Sequence, residues 1–195
     1  MSISVAGAIK VHQRYGVDFH RSTMWHEIGH AFANFAAGRR SRIRIARNGF
    51  GRAEFSLLHK LDCLDEIFVA ASGTAAQLVY LEKNSNALYR SCTEHERSAF
   101  HSLFVEYANV IDWENFRRVC PDAHISRQNF LRFSERLASR IERLPAVLQV
   151  IGDMSRVPAN LPAEQIEIAG ANVSKTLAEL RRYARRSVRG LSRPR

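Results

Sequence analysis

Long apolar runs are absent from this 195-residue chain. The longest uncharged stretch, Ile67 to Leu81, is interrupted by Ser72, Gly73, Thr74 and Gln77 and falls short of the roughly 20 residues that a bilayer requires. The opening SISVAGAI, before Lys10, is too short for a signal peptide, so no membrane span is expected. Cysteine is scarce. Cys63, Cys92 and Cys120 are odd in number and scattered, with no CxxC or other paired spacing, which fits reduced thiols in a cytoplasmic compartment. Internal repeats are missing too. What remains is a chain with 46% apolar content, long enough to bury one sizeable core and short enough to favour a single domain with appendages.

Acidic residues are missing from the C-terminal end, where seven arginines lie between Arg181 and Arg195. Removing those seven from the net charge of +10 leaves +3 for residues 1–180, so the basicity belongs mainly to this tail. Its Arg, Ser, Gly and Pro content predicts a solvated, disordered extension. Binding of nucleic acid or anionic lipid is the sharper alternative. If seven arginines neutralised phosphates, affinity would fall by roughly six powers of ten per tenfold rise in salt.

Residues 1–22 carry no clear period. Ser22 or Thr23 can then cap a helix running to about Ala37, with Gly38 placed to end it and Met24, Trp25, Ile28, Phe32 and Phe35 forming its apolar face. Alternation in Arg42–Ile45 and again in Arg52–Leu57, around Asn48-Gly49, predicts a hairpin. A helix over about Leu61–Glu82 follows, and the small side chains of its AASGTAA centre admit another helix closely. Thr93 and Glu96 form a capping box for a helix through Phe100, Leu103, Phe104, Tyr107 and Ile111. A short Asp112–Val119 segment follows. Residues 126–154 read as an amphipathic helix that Pro145 kinks or splits. Pro158 and Pro162 mark a break before a last helix over about Ala171–Arg186.

The chemistry lies in MWHEIGHAF, which contains HExxH. Residues four apart on a helix point the same way, about 6 Å apart, so His26 and His30 can share one zinc ion at about 2.1 Å. Glu27, about 100° around the helix, stands beside the metal, where it can act as general base and proton shuttle. Zinc activates water near neutral pH and polarises a peptide carbonyl, so hydrolysis needs no covalent intermediate. A catalytic zinc usually has three protein ligands. The metzincin extension cannot supply the third, because Ala33 and Ala36 stand where its Gly and His would be, so another element must.

HEIGHA, the hairpin, SGTAAQLVY and CTEHERSAF resemble, in that order, the peptidase domain of the FtsH-type zinc proteases, over roughly residues 20–155. That family places a zinc-binding aspartate at the start of the helix after its AGRAAE-like helix. The resemblance therefore implies Glu94 as third ligand, with His95 and Glu66 as competitors. Three departures stand out. Glu94 is one methylene longer than the family aspartate, Gln77 replaces the family glutamate and receives no catalytic role, and there is neither a P-loop nor a spanning helix. ATP dependence is not carried over.

The expectation is a predominantly helical α+β protein: a zincin-like HExxH helix, a small β-hairpin and a helical C-terminal part. Its organisation is an N-terminal segment 1–22, a zinc peptidase-like domain 23–155, a helical segment 156–180 and the Arg-rich tail 181–195. The expected function is that of a cytoplasmic zinc metalloendopeptidase, with His26, His30 and Glu94 on Zn2+ and Glu27 as base. It would act on a peptide or unfolded protein that enters unaided and pairs with a strand edge of the hairpin. A second copy of the chain and a separate ATPase stay open as partners. The alternative is a catalytically degenerate scaffold of the same fold that binds a partner, or nucleic acid through its basic tail.

Overall fold

The computed structural model describes residues 12–46, 51–55, 60–97, 110–122, 125–156 and 160–191. Its elements are α1 (Phe19–Ala36), β1 (Ser41–Ile45), β2 (Gly51–Phe55), α2 (Cys63–Asn84), α3 (Ala87–Ser91), α4 (Val110–Val119), α5 (Arg127–Ile141), α6 (Pro145–Met154), β3 (Asn160–Leu161), α7 (Ala163–Asn172) and α8 (Ser174–Leu191). Among the described residues the protein is predominantly helical with one antiparallel sheet, as expected of its class. The Asn48-Gly49 turn and the Phe100–Tyr107 stripe lie outside the described residues.

α2 is the axis of the molecule, with α1 along one side, α5 along another and α4 and α8 against it. The small-residue centre of α2 faces α1 and lets the two helices approach until backbone meets backbone. A methyl group added at Gly29 of α1 would lie 2.4 Å from the Ser72 carbonyl oxygen. This contact buries α1 nearly all round, from Ser22 to Asn34, so it is a core helix and its motif lies inside the protein. Ser22 and Thr23 are therefore interior residues and not caps. Asp18 is the N-cap, accepting from the Arg21 N–H, because the helix begins a turn earlier than its apolar period suggests. Gly38, at φ +81°, ends α1 as expected.

The hairpin has the expected strands in register Arg42↔Glu54 and Ile43↔Ala53. Its sheet has an unforeseen third member, β3, in the order β2-β1-β3, which leaves β2 paired with β1 alone among the described residues. Pro145 splits the 126–154 segment outright, as the first residue of α6.

The C-terminal expectation needs correction. The last helix runs from Ser174 to Leu191, and the break before it falls at Val173. Arg181 and Arg185 are thus not on a disordered tail. Arg181 makes a bidentate pair with Asp65 (2.8 and 2.6 Å) and caps the Ala36 carbonyl at 3.1 Å, while Arg185 pairs with Asp62 at 2.8 Å. The period of Leu177, Leu180, Ala184 and Val188 buries one face of α8 and delivers these arginines to the start of α2. Apolar spacing within an arginine-rich sequence outweighs the composition that suggested disorder.

This lock is sensitive to acid. Burial alone would raise the Asp65 carboxyl, but its bonds to Arg181 and Arg185 outweigh burial and hold it below its ordinary value. A lowered carboxyl stabilises the fold fully above its unfolded pKa, and that stability is lost as pH falls through the lower folded value. Asp65→Asn is expected to cost about 1–3 kcal/mol at neutral pH, less than a fully buried pair because the Arg181 side chain is 34% exposed. Thermal melts from pH 7 to 3 should show a smaller acid-dependent loss in the variant than in the parent; parallel curves would remove this role.

Candidate metal centre

α1 presents His26 and His30 one turn apart, and each ring is held from behind. His26 Nδ1–H donates to Gln77 Oε1 at 3.1 Å, and His30 Nδ1–H donates to the Val69 carbonyl at 2.8 Å, both acceptors belonging to α2. An imidazole with its hydrogen on Nδ1 carries a lone pair on Nε2. The two Nε2 atoms face each other at 2.9 Å. Asp112 Oδ2 of α4 completes a triangle, 3.0 Å from His26 Nε2 and 3.2 Å from His30 Nε2.

Three buried atoms, each offering electrons, thus meet with no hydrogen of this tautomer between them. Such a cluster calls for a cation at its centre. A tetrahedral zinc at about 2.0–2.1 Å from each would set its ligands roughly 3.3 Å apart, close to the edges observed. The donors fit zinc in kind as well: two imidazoles and a carboxylate, with the outer hydrogen bonds that orient metal-binding histidines. Without a metal a proton can supply the charge. Burial alone would lower His30, but the Asp112 carboxylate outweighs it and raises the ring to about 9. Burial would raise Asp112, but the two rings hold it well below the usual carboxylate range.

Among the described residues, His26, His30 and Asp112 are the one group of three such side chains that could hold a metal ion, and Glu94 is not part of it. Glu94 is exposed, beside the Thr93–Glu96 capping box, which forms as expected. It lines a different groove with Leu78, Glu82, Arg97 and Glu142. His95 is also exposed, and Glu66 is committed to an ion pair with Arg39 at 2.9 Å. The carboxylate that stands with the two histidines is Asp112, in the short segment to which the sequence assigned no site. One signal for it was in the sequence: Asp112, Phe116 and Cys120 share a helical face, and Phe116 and Cys120 are buried, so an acid on that stripe requires a partner.

Glu27 lies beside the cluster, 5% exposed, and accepts from the Ala53 backbone N–H. Burial raises its carboxyl above the ordinary value, against the opposing pull of His26 and His30. β2 crosses directly over it: a methyl group added at Gly51 would lie 2.7 Å from Glu27 Oε1. α2 comes as close on the other side, where a methyl group at Gly73 would lie 2.4 Å from His30 Nε2. Gly73→Ala is therefore a sharp probe. Helix propensity favours alanine by about 1 kcal/mol, yet the ring of His30 must move. Zinc affinity should fall by more than about tenfold with helical circular dichroism unchanged, and undiminished binding by a chelator competition would contradict the geometry.

The cluster opens into a cleft of 590 Å³ between β2 and α4, with Glu27, His30 and Asp112 at its floor. Five large apolar side chains are exposed among the described residues, and three of them, Phe55, Ile111 and Val119, line this cleft. Both walls thus present apolar surface to solvent. Arg39 lies over the Phe55 ring at 4.4 Å and holds it in place.

Comparison with protein-family models, with curated proteins and with solved structures finds no match to this chain.

Proposed function

We propose that the protein is a zinc-dependent peptidase in which His26, His30 and Asp112 hold the metal and Glu27 is the general base. The observation that carries this reading is the convergence of three lone-pair atoms within 3.2 Å of one another, beside a buried carboxylate and at the floor of an open cleft. It agrees with the FtsH-type resemblance in motif, hairpin and central helix, and replaces the implied Glu94 with Asp112.

Bound zinc would supply water activation near neutral pH and polarisation of the scissile carbonyl. The chain's own residues do the rest. Asp112 lowers the net charge of the site and keeps both rings aimed inward. Glu27, dry and close to the cluster, takes the proton from the attacking water and returns it to the leaving amine. β2, unpaired on its outer side among the described residues, offers backbone groups to an extended segment, which restricts substrates to unfolded or loop regions. Phe55, Ile111 and Val119 favour apolar side chains beside the cleaved bond.

The test is cleavage of an unfolded protein, such as reduced carboxymethylated casein, by the zinc-loaded chain without ATP. Cleavage that stops with a chelator and returns with zinc is expected. A pure, zinc-replete preparation that leaves the substrate intact would sink the peptidase reading while leaving the metal site standing. Among the described residues, no helix is long and apolar enough to cross a membrane.

A further inference from the structure

Gln77, to which the sequence assigns nothing, joins the metal cluster to a buried polar chain. Its Oε1 accepts from His26 Nδ1, and its Nε2 donates to Ser22 Oγ at 2.8 Å. Ser22 stands one turn before His26 on α1, and its Oγ lies 2.9 Å from His12 Nε2. Exposures of 0% for Ser22, 1% for His12 and 3% for Gln77 leave little room for water to replace a partner.

A carboxamide has nearly the same shape when turned over, with oxygen and nitrogen exchanged. Reversed, Gln77 would present hydrogens to His26 Nδ1. The ring would then accept there and carry its own hydrogen on Nε2, pointing it at His30 and Asp112. The orientation of one amide therefore decides whether His26 offers the cluster a lone pair or a hydrogen. Ser22 can fix that orientation because its hydroxyl has a single hydrogen. With His12 in the tautomer that leaves its Nε2 bare, the Ser22 hydrogen goes to that nitrogen and the Ser22 oxygen can only accept, so the amide nitrogen must face it and the amide oxygen must face His26. In that tautomer of His12 every donor points away from the cluster: His26 to Gln77, Gln77 to Ser22, Ser22 to His12.

We propose that Gln77 is the positioning residue of the His26 ligand, and that Ser22 and His12 hold its carboxamide in the one orientation that leaves a lone pair on His26 Nε2. The inference rests on the metal reading for its consequence, but the tautomer of His26 can be read without metal.

Two readouts test it: zinc affinity by chelator competition, and the His26 ring hydrogen by 15N–1H correlation in the metal-free protein. Gln77→Met keeps the volume and removes the acceptor. It should weaken zinc binding 10–100-fold and give mixed His26 tautomers, while Gln77→Glu, which keeps an acceptor oxygen toward His26 and takes the Ser22 hydroxyl hydrogen on its other oxygen, returns both to near the parent. Ser22→Ala, a milder change that decides the matter if Gln77→Met does not fold, should loosen the amide and also mix the tautomers. Parental zinc affinity in Gln77→Met, no rescue by Gln77→Glu, an unmixed tautomer in Ser22→Ala, or Nε2–H on His26 in the parent would each overturn the inference. A parent that takes up no zinc yet shows His26 as Nδ1–H, mixed on Gln77→Met, would overturn the metal reading and leave the positioning role standing.

Discussion

Asp112→Ala is expected to weaken zinc binding by more than about 100-fold, beyond the loss typical of an outer-shell partner, and to abolish hydrolysis. Glu94→Ala should change neither. The contrast follows from position. Asp112 Oδ2 is within 3.2 Å of both ring nitrogens, whereas Glu94 is exposed in a groove that contains neither histidine. Removing Asp112 also leaves two imidazoles sharing a buried site with no negative charge in the ligand shell. Parallel chelator competition on the two variants decides between them; a loss on Glu94→Ala equal to that on Asp112→Ala would restore the ligand that the resemblance implies.

A second large effect separates metal binding from turnover. Glu27→Gln keeps the shape of the side chain and removes its capacity to take a proton, so peptide cleavage should fall by on the order of 10²–10⁴ while zinc stays bound. Gln can still accept from the Ala53 N–H through its amide oxygen, so the fold is not expected to suffer. Hydrolysis at the parental rate in a pure Glu27→Gln preparation would remove the proposed mechanism. Loss of zinc with activity would show instead that Glu27 supports the site structurally.

The sequence exposed the parts of this protein that are periodic or local. The HExxH spacing, the alternating hairpin, the α2 helix with its small-residue centre, the Thr93–Glu96 box and the Pro145 break all depend on neighbours within a few residues, and each stands where its pattern put it. The place of Asp112 beside the histidines depends on how α4 packs against α2, which no local pattern encodes. Asp112–Val119 lies in α4, where polar Glu114, Asn115, Arg117 and Arg118 interrupt the hydropathy while Phe116 is buried. The resemblance implied Glu94, eighteen residues earlier in the chain, which stands exposed in another groove. The Arg-rich end failed for a related reason: composition suggested solvation, while Asp62 and Asp65, more than a hundred residues away, supplied the partners. The same distance in sequence hid the chain from His12 to Gln77.

X-ray absorption at the zinc edge, on protein loaded with one equivalent and washed, addresses the metal site most directly. Two imidazole nitrogens with the remaining shell made of oxygen, at about 2.0–2.2 Å, is the result that His26, His30 and Asp112 predict. Failure to retain zinc, or a thiolate sulfur at about 2.3 Å, would contradict it and show that these three side chains do not form the metal centre.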